Sequence, residues 1–117
     1  MTSVTSGLKT VVVPVRDLGQ AKAVYEALLG VPPYTDAAYY VGFRVGDQEF
    51  GLDPNGHRQG ITAPVCYWEV ADMPQAVKQL QDAGAEVVQE PRDVGGGKLI
   101  ARVRDADGNV TGLAYTP

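Results

Sequence analysis

The chain has 117 residues and a formal net charge of −4, with 10 Lys and Arg against 14 Asp and Glu. That length suits one domain with a real core, and the acidic balance, with no basic run, argues against a nucleic-acid footprint. The longest apolar stretch, Val11 to Val15, is far short of a membrane span, and the single cysteine, Cys66, rules out an internal disulfide.

In chain order, Met1 to Lys9 shows no charged segment followed by an apolar one, so no secretion signal is expected. Leu8 to Val15 is rich in β-branched residues and reads as a strand, with Pro14 at its end or on an edge. Asp17 is placed to cap a helix over Leu18–Leu29, whose Leu18, Ala21, Val24, Tyr25, Leu28 and Leu29 share a face. Gly30 is a natural helix stop, reinforced by Pro32 and Pro33. Tyr39–Val45 and Gln48–Asp53 read as a hairpin about the Gly46-Asp47 turn. After a polar stretch, the plan returns as a strand over Pro64–Val70 and a helix over Met73–Ala83, capped by Asp72 and stopped by Gly84. Strands then follow over Glu86–Arg92, where Pro91 marks an end, over Lys98–Arg104 and over Val110–Tyr115. The turns between them are Gly95–Gly97 and Asp105–Gly108, and the triple glycine precedes no helix, so it is no phosphate loop.

This recurrence is written in the residues. Val15-Arg16-Asp17-Leu18 returns 55 positions later as Val70-Ala71-Asp72-Met73, and Gln20-Ala21 returns as Gln75-Ala76 at the same spacing. Asp53-Pro54-Asn55-Gly56 has its counterpart in Asp105-Ala106-Asp107-Gly108. The expected organisation is one domain over 1–117, with module one at about 8–53, a linker at about 54–63 and module two at about 64–117. The fold class is α+β: two tandem βαβββ modules forming a curved mixed sheet around a central cup.

Two such modules, each with Val-x-Asp-Leu/Met at the exit of its first strand, resemble the vicinal oxygen chelate superfamily. That group holds glyoxalase I, extradiol dioxygenases and bleomycin-resistance proteins. Ala23-Val24-Tyr25-Glu26-Ala27-Leu28-Leu29-Gly30 resembles the family's "FYxxxLG" helix end, and Arg104-Asp105-Ala106-Asp107-Gly108-Asn109 resembles its "RDPDGN" turn. In metal-using members, the resemblance implies four ligands, typically His, Glu, His and Glu, on the first and last strands of each module. Carried over by the shared landmarks, these positions fall at Thr10, Gly51, Val65 and Gly112. Valine and glycine side chains have no donor atom, and a lone threonine hydroxyl is a poor ligand for a divalent ion. The resemblance therefore points to the metal-free branch, with no metal site and no cofactor.

Side chains alternate across a strand, so parity assigns faces. Val11, Val13, Val15, Val41, Phe43, Val45, Phe50, Leu52, Leu99, Ala101 and Val103 are expected in the core, with Cys66, Trp68 and Val70 under the second helix. The cup would be lined by Thr10, Tyr40, Arg44, Glu49, Tyr67, Glu69, Lys98 and Arg102, with Gly51 and Gly112 leaving room. The ligand-binding candidates are Thr10, Tyr40, Arg44, Gly51, Tyr67, Arg102 and Gly112; Glu49 and Glu69 are the candidate general bases. Aromatics and arginines suit a flat, anionic or hydrogen-bonding ligand. Simple solvation also explains polar residues on such a face, above all Lys98 and Arg104. His57 reads as a surface residue, and Cys66 as a small buried hydrophobe. The leading expectation is a metal-independent small-molecule binding protein of the glyoxalase and bleomycin-resistance type that sequesters an antibiotic or metabolite. It would be cytoplasmic and homodimeric, with no nucleic-acid or membrane partner. The alternatives are a metal-free lyase, isomerase or epimerase using a cup carboxylate, and a scaffold with a vestigial cup.

Overall fold

In the computed structural model, which describes residues 3–117, each copy of the Val-x-Asp motif joins a strand to the helix that its Asp caps. Strand β1 (Thr5–Pro14) leads to helix α1 (Leu18–Leu29), and strands β2 (Thr35–Ala37), β3 (Tyr40–Val45) and β4 (Gln48–Asp53) follow. A short 3-10 turn, His57–Gln59, precedes the second copy: β5 (Val65–Val70), α2 (Met73–Asp82), β6 (Glu86–Asp93), β7 (Leu99–Arg104) and β8 (Val110–Tyr115). The Asp17 carboxylate accepts the Gln20 amide at 3.0 Å, and Asp72 accepts that of Gln75 at 3.0 Å. Each satisfies a donor that the first helical turn leaves without a partner. Gly30 ends α1 in the left-handed region, φ 71°, with its amide on the Glu26 carbonyl.

The contacts divide the chain into two units, Thr10–Val65 and Met1–Lys9 with Cys66–Pro117. In the Thr10–Val65 unit the strand order is β2-β3-β4-β1. Strands β3 and β4 form an antiparallel hairpin, and β1 pairs parallel with β4, from Thr10 opposite Glu49 to Pro14 opposite Asp53. In the other unit the order is β5-β8-β7-β6, with β5 parallel to β8 and the remaining pairs antiparallel. Each unit therefore mixes one parallel pair with antiparallel ones in the same order, and the protein is α+β with the βαβββ plan twice. No helix among the described residues is long and apolar enough to cross a membrane.

Each helix covers one face of its own sheet. Leu18, Ala21, Tyr25 and Leu29 of α1 pack with Val13 and Val15 against the fully buried Val41, Phe43 and Leu52. The Tyr25 and Phe50 rings meet at 4.7 Å between centroids, tilted by 44°. In the other unit Met73, Ala76 and Val77 of α2 pack on Val70, Ala101 and Leu113. Alternation thus commits one face of every central strand to a helix, and burying each large side chain contributes about 1.5–3 kcal/mol. The Arg104–Asn109 turn is held by Asp105, which accepts the Asn109 amide at 2.8 Å, the Asn109 side chain at 3.0 Å and the Asp107 amide at 2.9 Å. The bonds from Asn109 hold its carboxyl below the usual carboxylate range.

Several expectations need correction. The first strand begins at Thr5, before Leu8, and β2 was not foreseen, because Thr35-Asp36-Ala37 is too short to show a pattern. Strand β6 runs through Pro91; it is the outer member of its sheet, so the missing amide breaks no inner ladder, and the register slips twice along it. Helix α2 ends at Asp82 with Ala83 as its cap, and Gly84 takes the positive φ one residue on. Trp68 is 36 % exposed, not core, because α2 gathers Val70 and Leu113 and leaves Trp68 outside the cluster. Val45 is also exposed, at the end of its strand, and Cys66 is only half-buried.

Phe43→Ala should cost about 3–5 kcal/mol, as a large core deletion does. Val24 and Leu28, expected on the packed face of α1, are exposed, because only Leu18, Ala21, Tyr25 and Leu29 meet the core; Leu28→Ala should therefore stay within about 0.5 kcal/mol. Urea unfolding of both variants checks the contrast, and equal losses would contradict the assignment of faces.

Candidate functional site

With one face of each sheet given to a helix, the chemistry collects on the other. In the Thr10–Val65 unit, the register sets Thr10, Glu49 and Arg44 side by side across β1, β4 and β3. The next row on the same face is Val12, Gly51, Gly42 and Thr35. Glu49 is 9 % exposed, and its Oε1 accepts the Tyr34 hydroxyl at 2.7 Å. The Arg44 guanidinium lies 4.1 Å above the centre of the Tyr34 ring and 3.7 Å from the same Glu49 oxygen. Desolvation, followed by the bond to the Glu49 carboxylate, pushes the Tyr34 phenol up to about 12. Tyr34 is thus a neutral donor shared between a carboxylate and a stacked cation.

The glycines of this face do not leave room. A Cβ on Gly51 would sit 2.0 Å from the Tyr40 hydroxyl oxygen, and one on Gly42 would sit 3.1 Å from the Tyr34 ring. In the other unit, Tyr67, Gly112 and Arg102 form a row across β5, β8 and β7. Tyr67 lies over Gly112, where a Cβ would come within 2.3 Å of the ring, and its hydroxyl accepts the Arg102 Nη1 at 3.2 Å. The expectation that Gly51 and Gly112 enlarge an opening is therefore overturned: tyrosine rings fill the space.

Thr10 and Val65 are buried. Glu69 stands at the end of β5, where its Oε1 accepts the Thr116 amide at 3.1 Å. Lys98 is half-buried, and Arg104 is exposed and paired with Glu86 at 2.9 Å. His57 is half-buried in the 3-10 turn, with its Nδ1 shielded and lacking a hydrogen-bond partner. Sequence reasoning missed Tyr34. Its signal was an aromatic directly after Pro32-Pro33, but its role depends on β2, which the sequence did not reveal.

The positions that would hold a metal do not fit one. Gly51, Val65 and Gly112 offer no donor, two of them lie under tyrosine rings, and Thr10 offers one hydroxyl. Among the described residues no three His, Cys, Asp or Glu stand close enough to share an ion.

Two βαβββ units with parallel closing strands define the class of protein. The chain belongs to the Glyoxalase/Bleomycin resistance protein/Dioxygenase superfamily, whose model matches residues 7–113. Among solved structures, it is similar to methylmalonyl-CoA epimerase from Mycobacterium tuberculosis, at 20 % identity and a TM-score of 0.71 over 100 % of this chain and 92 % of that one. The Streptomyces coelicolor methylmalonyl-CoA epimerase in complex with 2-nitronate-propionyl-CoA gives 16 % identity and a TM-score of 0.76 over 96 % and 95 %. The Mn(II)-bound glyoxalase from Novosphingobium aromaticivorans gives 19 % and 0.72, over 97 % of this chain and 40 % of that one. No curated protein sequence matches the chain.

Gly112→Ala should destabilise by about 1–3 kcal/mol, the range for overpacking. Its new methyl meets the base of the Tyr67 ring, which cannot swing aside without leaving Arg102. A cycle with Tyr67→Ala should show strong coupling between the two changes; additive losses would refute the contact. In an ultraviolet pH titration, one of the six tyrosines should ionise near 12, and Tyr34→Phe should remove that step. Because this pKa is raised, the stability from Tyr34 is fully present below the ordinary tyrosine range and is lost as pH climbs toward 12.

Proposed function

We propose that the protein is a metal-independent small-molecule binding protein of the glyoxalase and bleomycin-resistance type. The observation that carries this reading is the absence of donor atoms at Gly51, Val65 and Gly112. A chain that cannot assemble the usual ligands acts through what stands on the face instead. In the Thr10–Val65 unit these are Tyr34, Tyr40, Arg44 and Glu49, and the Arg44 side chain is 56 % exposed. Its guanidinium offers planar paired donors to a carboxylate or similar group, and the tyrosine rings offer stacking area. The ligand class that suits this set is a flat anion, such as an aromatic carboxylate. In the other unit Tyr67 and Arg102 meet each other instead, and Arg102 is buried, so the exposed guanidinium of this reading is that of Arg44. We further read the protein as cytoplasmic and homodimeric, from its lone cysteine and from the self-complementary pairing open to short chains.

A second reading, a metal-free epimerase or isomerase, draws on Glu49. This carboxylate is nearly buried, and the Tyr34 phenol and the Arg44 guanidinium beside it favour its ionised form, the one in which a general base takes up a proton. The fold shared with methylmalonyl-CoA epimerases makes proton transfer beside a carbonyl the natural reaction to try.

Protein purified without chelators should carry far less than one divalent ion per chain; near-stoichiometric zinc, nickel or iron would end the metal-independent reading. In thermal-shift screening, an aromatic carboxylate at a hundred times its dissociation constant should add about 2.7 kcal/mol of stability, and Arg44→Ala should abolish the shift. Solvent deuterium appearing beside a substrate carbonyl, and lost in Glu49→Gln, would favour the epimerase reading.

A further inference from the structure

The unit that holds Cys66–Pro117 contains a second feature, at the end of β5, one row beyond the contact of Tyr67 with Arg102. An open cleft of about 450 Å³ lies between the start of β1, the end of β5 and the chain's last residues. The hydroxyl-bearing residues Ser3, Thr5, Ser6 and Thr116 line it, together with Val4 and Tyr115 on its apolar side. Glu69 also lines it. One oxygen of this carboxylate, Oε1, accepts the Thr116 amide, whereas Oε2 is shielded from water and has no hydrogen-bond partner. The Thr5 hydroxyl donates to the Glu69 carbonyl at 2.5 Å, which ties the β1 wall of the cleft to the strand bearing the carboxylate.

A carboxylate oxygen shut away without a donor is costly and calls for one. The described residues lining the cleft include no Lys or Arg. What the cleft presents is one formal negative charge and residues whose hydroxyls can accept as well as donate, beside an apolar wall.

We propose that this cleft is a binding site for a small organic amine, with Glu69 as the counter-ion of its ammonium group. An ammonium brings three donors and one positive charge. One donor meets Glu69 as the carboxylate turns about its Cγ–Cδ bond, and the others meet the hydroxyl oxygens at the rim. The hydrocarbon part lies along Tyr115 and Val4. The site shares no residue with the face proposed above for a flat anion, so the two readings stand or fall separately.

Benzylamine, titrated into the full chain and followed by amide chemical shifts, tests this. It should move the signals of Thr5, Ser6, Glu69, Ala71 and Thr116, leaving those of Arg44 and Glu49 in place. Benzyl alcohol, the same shape without the charge, should bind at least about tenfold more weakly, the loss expected when a charge-assisted bond is removed. Glu69→Gln should weaken benzylamine to a similar extent. Absence of binding, shifts confined to other residues, or equal binding of the alcohol would each overturn the proposal. The comparison of amine with alcohol uses the unaltered protein, so it decides the matter even if Glu69→Gln does not fold.

Discussion

Three glycines on the face opposite the helices set what the rest of that face can be. Gly42, Gly51 and Gly112 alternate with Val41, Phe43, Leu52 and Leu113, which the core holds in place. Since alternation fixes the direction of every side chain along a strand, the glycines must face away from the helices. A glycine inside a strand weakens it, through lost entropy and the lack of a side chain to pack. A tyrosine laid on the bare backbone returns that packing, and this is what Tyr34, Tyr40 and Tyr67 do. The glycines are therefore one half of a contact whose other half is a ring.

A ring that lies flat also carries its hydroxyl across a strand. Tyr67 starts on β5, crosses Gly112 of β8 and meets Arg102 of β7. Tyr34 lies over Gly42 of β3 and reaches Glu49 of β4, with Arg44 stacked on its ring. In both cases a largely buried charged group meets a phenol. This is the form in which a polar group is tolerated away from water. At two of the four positions that the resemblance assigns to metal ligands, Gly51 and Gly112, this chain seats tyrosine rings. The fold is common to the superfamily, and the chemistry follows from what occupies the face.

The sequence was most legible where the signal is local. The bounds of α1 and its caps follow from Asp17, Gly30 and the prolines, all within a turn of the events they cause. The period of two placed Phe43, Leu52 and Ala101 in the core without any knowledge of their neighbours. Properties fixed by distant partners were not legible. Whether Trp68 is covered depends on where α2 lies, and whether Pro91 interrupts a strand depends on that strand being outermost. Gly51 and Gly112 were seen, but their meaning was inverted. An empty position and a position that accepts a neighbour's ring look alike until the ring is placed.

The two copies repeat their frame more faithfully than their contacts. Aligned by register, the row of Thr10, Glu49 and Arg44 corresponds to Val65, Val110 and Arg104. The first has a buried carboxylate beside its arginine. The second has valines, and Arg104 turns to Glu86 at the surface. The next row reverses this: Gly51 and Gly42 correspond to Gly112 and Arg102, and only the second copy has an arginine there. Each copy thus joins one arginine to one tyrosine on its open face, but in different rows. What the duplication repeats is the capped helix, the hairpin and the parallel closing strand, because these are fixed by backbone and core. A face that no helix covers is free of that constraint, so a role found for Glu49 or Arg44 does not pass by symmetry to the second copy.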